Sequence, residues 1–71
     1  MEMEITLEVE FTIIDTEAYY IITVIDEDTQ KTIKTHKRNA RYYRSAINAG
    51  DKVADNYVEK GYYIHDIRET R

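Results

Sequence analysis

Residues 3–13 read MEITLEVEFTI, and they alternate without interruption. Met3, Ile5, Leu7, Val9, Phe11 and Ile13 fall on one side; Glu4, Thr6, Glu8, Glu10 and Thr12 fall on the other, with Glu2 continuing the polar row. A period of two fits the pleat of a strand and no helical repeat. The spacing therefore predicts a long strand over about residues 3–14, buried on one face only.

Working outward, Asp15-Thr16-Glu17 reads as a turn, and residues 18–26 resume in Tyr, Ile, Thr and Val, which suit a pleated surface. Both sides of this second strand are apolar, with Tyr20, Ile22 and Val24 opposing Tyr19, Ile21 and Ile25. Either it is central and covered twice, or one face awaits a partner. Asp26-Glu27-Asp28-Thr29-Gln30 is a polar connection of hairpin length, and residues 31–35 form a short third strand with Ile33 facing inward.

A helix is expected over about residues 39–60. Asn39 is the best N-cap available, and Tyr43, Ala46, Ile47, Gly50, Val53, Ala54, Tyr57 and Val58 recur at steps of three and four. Glycine inside a helix costs about 1 kcal/mol relative to alanine. Ala46, Gly50 and Ala54, at i, i+4 and i+8, explain its presence: small residues let the helix lie close on a sheet. One continuous helix is expected rather than a break at Gly50 with Asp51 capping a second. Gly61 suits the position just past the helix end. A last strand over 62–67 leaves Arg68–Arg71 as a frayed tail. The fold class is α+β in the order β-β-β-α-β: a single domain over residues 1–71, with a mostly antiparallel four-stranded sheet and one helix on one face.

A chain of 71 residues buries only about 60% of its unfolded surface, so the core is thin and a homodimer is expected to add burial. There is no Cys, which excludes disulfides, Cys-ligated zinc, Fe–S clusters and thiol catalysis. No apolar run approaches membrane-spanning length and no signal-peptide pattern is present. A cytoplasmic protein is expected, in the host bacterium's cytoplasm if the chain is viral.

The net charge of −4 conceals a division. Residues 1–30 carry nine acids and no Lys or Arg, whereas residues 31–71 carry all ten Lys and Arg against five acids. Such asymmetry signals a charged partner, or halves that neutralise each other in the fold.

The sequence offers no catalytic constellation. His36 and His65 are the only histidines, and His65-Asp66 lies on a strand, where neighbours point to opposite faces and cannot grip one ion. Ser45 has no evident base, and two glycines make no phosphate loop. The expectation is a non-enzyme without metal or cofactor. Lys34, Lys37, Arg38, Arg41 and Arg44 crowd the expected helix start, where the macrodipole is already positive, so something anionic should compensate them. Nucleic-acid phosphate, with Tyr42 and Tyr43 stacking, is one answer and the alternative reading of the chain. The pI near 5.0 disfavours it, and neutralisation by the chain's own acids is favoured instead.

The acidic half carries the principal functional reading. Side chains two apart on one strand face lie about 6.8 Å from each other. Glu2/Glu4 and Glu8/Glu10 are therefore carboxylate pairs spaced much like successive phosphates along a DNA strand, and Asp15/Glu17 and Asp26/Glu27/Asp28 add clusters at two loop tips. A short, acidic, Cys-free domain with the Glu-studded strand EMEITLEVEF and the Tyr-rich AYYIITVIDED resembles the small early proteins with which bacteriophages, including SPO1-type Bacillus phages, disable host machinery. Several of those are DNA mimics. The resemblance implies an inhibitor of a basic bacterial DNA-binding protein, HU-like or RNA polymerase. The basic segment Lys31–Arg44 departs from a wholly polyanionic mimic and makes this one one-sided. Glu4, Glu8, Glu10, Asp15, Glu17, Asp26, Glu27 and Asp28 are the expected partner-binding residues.

Overall fold

The computed structural model describes residues 3–70; Glu2 and Arg71, named above, lie outside the described residues. The elements are β1 (Glu4–Ile14), β2 (Glu17–Asp26), β3 (Thr32–Asn39), α1 (Tyr43–Glu59) and β4 (Tyr63–Thr70). They form a four-stranded mixed sheet in the order β3-β2-β1-β4 with one helix, an α+β arrangement. β1 pairs antiparallel with β2, and β2 antiparallel with β3. β4 lies parallel to β1, as the long crossover through α1 permits. Among the described residues, no helix is long and apolar enough to cross a membrane.

The alternation of β1 translates directly into packing. Ile5, Leu7 and Val9 are fully or almost fully buried beneath α1, beside Ile22 and Val24 of β2. The register sets Leu7 against Val24 and Val9 against Ile22, so Tyr20, Ile22 and Val24 face the helix. Tyr19, Ile21, Thr23 and Ile25 line the open face, which resolves the two-sided character of β2. The ends of the apolar row behave differently from the middle: Met3 is 39% exposed and Ile13 65%. A helix of 17 residues spans about 25 Å, against about 37 Å for an eleven-residue strand, so the sheet outruns its cover. The molecule measures 44 × 21 × 15 Å.

The first hairpin closes through Asp15 and Thr16, both at positive φ (49° and 68°), between the paired Ile14 and Glu17. Two such residues are the signature of the primed turn that matches strand twist. Glu17 belongs to β2 rather than to the turn. The β2–β3 loop is held by Asp26, whose Oδ1 accepts from the amide of Asp28 at 2.9 Å, while its carbonyl accepts from the Gln30 amide at 2.7 Å.

Three expected boundaries shift, each for a physical reason. β3 runs to Asn39 rather than stopping at residue 35, because Tyr19–Ile25 of β2 offers a ladder for its whole length. Asn39 is thus a strand residue and not the helix cap; Tyr42 fills that position without a side-chain hydrogen bond, and α1 starts at Tyr43. A register shift between Val24 and Ile25 leaves Ile33 40% exposed, and His36, opposite Ile22, takes the inward place. Finally, residues 68–70 are not a frayed tail: β4 continues pairing to Glu10↔Thr70.

The helix itself is continuous through Gly50. A Cβ there would sit 2.8 Å from Val9 Cγ2, and Ala46 and Ala54 are buried on the same face. At the other end, Gly61 at φ 96° lets the Tyr62 amide reach the Tyr57 carbonyl (3.0 Å) and its own amide reach Val58 (3.0 Å). That is the paired closure of a Schellman motif, with the Tyr57 and Tyr62 rings meeting edge to face at 5.0 Å as its apolar contact.

Three substitutions test these assignments by urea denaturation. Gly50→Ala should destabilise, since overpacking against a stiff β-branched side chain costs about 1–3 kcal/mol and exceeds the roughly 1 kcal/mol gain in helix propensity. Val9→Ala should then cost less in that background than in the parent chain. Thr16→Gly should stabilise by about 1 kcal/mol, by removing a β-branched residue from the left-handed region.

Candidate acidic interface on the open sheet face

Because β1 is an interior strand, its polar row stands along the middle of the uncovered face. Glu8 is flanked in register by Thr23 of β2 and Arg68 of β4, and Glu10 by Ile21 and Thr70. Both are exposed, and among the described residues neither makes an ion pair. Arg68, the cation nearest Glu8 in register, turns instead to Asp66, with Nε 3.4 Å from Oδ2.

The row is differently arranged at its first end. A bulge in the β1–β4 pairing between Ile5 and Thr6 inserts His65, so that Ile64 and Ile67 both face the helix while His65 and Asp66 both lie on the open side. The expectation that these neighbours take opposite faces fails there. His65 sits between two carboxylates, Nδ1 at 3.7 Å from Glu4 and Nε2 at 3.6 Å from Glu27. Glu27 also accepts the Thr6 hydroxyl at 2.7 Å, which satisfies the one buried polar side chain among the described residues. Among these residues no group of three His, Cys, Asp or Glu converges to hold a metal ion.

The eight expected partner-binding carboxylates therefore divide. Glu4 and Glu27 bracket His65, and Asp26 serves its own loop. Glu8, Glu10, Asp15, Glu17 and Asp28 have no side-chain partner among the described residues. Asp15 and Glu17 mark one end of the long hairpin, whereas Asp26, Glu27 and Asp28 mark the opposite end, next to the start of β1, where the Glu27 amide donates to the Glu4 carbonyl at 2.9 Å. His65, Asp66 and Arg68 belong to this surface, and Asp66 and Arg68 were not legible as such, since only the bulge turns them to it.

The basic segment is not neutralised from within. Among the described residues none of Lys31, Lys34, Lys37, Arg38, Arg41 and Arg44 makes an ion pair, and the first turn of α1 holds no acid. Nor do these residues form one patch. Lys37 lies on the open face with Nζ 4.7 Å from the Tyr19 ring centroid, whereas Lys34 and Arg38, opposite Val24 and Tyr20, point to the helix side. Arg41 lies in the β3–α1 connection and Arg44 in the first turn of α1. Between Lys34 and Arg38 sits His36, half-buried, its Nε2 shielded from solvent and without a hydrogen-bond partner. Burial, and then the charges of Lys34, Arg38 and Lys60, hold the imidazole below its usual 6.5.

Comparison with protein-family models, with characterised proteins and with solved structures finds no significant match.

The lowered His36 value has a consequence for stability. Below about pH 6.5 the unfolded chain binds a proton that the folded chain resists, so this residue's contribution falls as pH drops from 7 towards 5. Thermal unfolding of His36→Gln should accordingly lose less between pH 7.5 and 5.5 than the parent protein does. Equal losses would show that the imbalance at His36 carries no weight.

Proposed function

We propose that this chain is a non-enzymatic binding protein, a DNA mimic of the bacteriophage host-takeover kind. Its acidic open face occupies the phosphate-binding Lys and Arg groups of a basic bacterial DNA-binding protein, HU-like or RNA polymerase, in the host cytoplasm. The observation that carries this reading is the pair Glu8 and Glu10, uncompensated on the exposed face of a central strand. Their spacing of about 6.8 Å is fixed by the strand and resembles that of backbone phosphates.

Rigidity separates this surface from a disordered acidic tail. β1 is hydrogen-bonded on both sides, and Ile5, Leu7 and Val9 of its inner row are locked into the core, so the backbone that carries the outer carboxylates needs no further ordering. Ile21 and Ile25 of β2 lie beside the acidic row and add apolar area that a partner can cover. Attraction between the charges would steer the encounter and make it sensitive to salt.

Release of DNA from an HU-like protein, followed by gel shift, tests the proposal. The parent chain should displace DNA, with potency falling as salt rises. Glu8→Lys together with Glu10→Lys should weaken displacement by about tenfold or more, equivalent to roughly 1.4 kcal/mol, while leaving the circular dichroism spectrum unchanged. Undiminished displacement by that variant would remove Glu8 and Glu10 from the interface.

A further inference from the structure

The helix side of β3 is the part of the sheet that α1 leaves bare. The helix packs on β1, β2 and β4 but not on β3, whose residues are exposed apart from the half-buried His36. Lys34, His36 and Arg38 alternate along that bare side, opposite Val24, Ile22 and Tyr20. Lys60, the residue that caps α1, adds a fourth basic side chain from a distant part of the sequence; its charge reaches His36, and its Nζ lies 5.0 Å from the Tyr57 ring centroid. Among the described residues no acid lies within ion-pair distance of Lys34, Arg38 or Lys60.

We propose that Lys34, Arg38 and Lys60, arranged around His36, form a second binding surface that takes the phosphate backbone of a nucleic acid. Lys34 and Arg38, four residues apart on one side of a strand, are about 13.6 Å from one another, which lets them meet every second phosphate along one strand. Ammonium and guanidinium groups that meet phosphates carry no base preference. The acidic ridge does not cancel this surface. It lies on the opposite face of the sheet, and its carboxylates point away from the strip. The two faces thus address opposite kinds of partner: the ridge a basic protein, the β3 strip the polyanion that such a protein holds.

The test uses the full chain alone, without any protein partner, so its outcome is independent of the mimic reading. Fluorescence anisotropy with a short labelled oligonucleotide, as single strand and as duplex, is measured at low salt and then across a salt series. Binding of either form is expected. For single strands the logarithmic salt slope should be about −2, near −0.7 for each of three phosphate contacts. Lys34→Glu with Arg38→Glu should weaken binding by about tenfold or more, and Lys60→Ala should make the slope shallower by one contact. Glu8→Lys with Glu10→Lys, on the other face, should not weaken it. A readout that needs no variant is the imidazole signal of His36, whose titration midpoint should move upward when oligonucleotide is added. Absence of binding to both forms at low salt overturns the proposal. So does binding that Lys34→Glu/Arg38→Glu and Lys60→Ala leave unchanged, or a His36 titration indifferent to saturating oligonucleotide.

Discussion

The contact of Gly50 with Val9 decides where everything else lies. Because a helix backbone rests directly on the side chain of a central strand, α1 is seated over β1, β2 and β4 and cannot also reach β3. Two surfaces remain uncovered. They are the whole of the opposite sheet face, with the outer row of β1 along its middle, and the helix-side flank of the basic edge strand. In a chain with so little to bury, leaving both bare is a consequence of having one helix for four strands.

The open face is mainly acidic, with Lys37 and Arg68 among its carboxylates, whereas the bare flank of β3 is basic. Acidic and basic side chains seldom meet: among the described residues Arg68 and Asp66 form the one ion pair of a Lys or Arg, while His65 lies 3.7 Å from Glu4 and 3.6 Å from Glu27. A protein that needed only solubility could have interleaved its charges and gained small stabilising pairs along each strand. Here Arg68, the cation registered beside Glu8, is taken up by Asp66 instead, and Glu8 and Glu10 keep their charge for whatever approaches from outside.

How much of this was legible depended on whether an element's position is set by its own pattern. β1 was readable because burial on one face imposes alternation, and the seating of α1 because Ala46, Gly50 and Ala54 have no other reason to recur. β3 was not: an edge strand needs only a backbone ladder from its neighbour, so Lys37 to Asn39 could remain strand while carrying charges that read as a loop. The helix start was misplaced for the same reason, since Asn39 has the chemistry of a cap but is held in the ladder. The bulge at His65 has no signature in a single sequence, yet it alone turns Asp66 and Arg68 to the open face. Compensation of the basic segment by the acidic half was an argument from totals, and totals do not specify neighbours.

The parallel pairing of β4 with β1 also bears on how the chain reaches this state. β1, β2 and β3 form a meander of local contacts that can assemble early, whereas Glu4 must wait for Tyr63, after α1 has crossed the sheet. Until that final docking, β1 presents an open backbone edge bearing its most apolar side chains, a template for joining a second chain wrongly. The same row of glutamates would then guard the nascent ribbon, because two copies meeting through β1 would bring like charges into register.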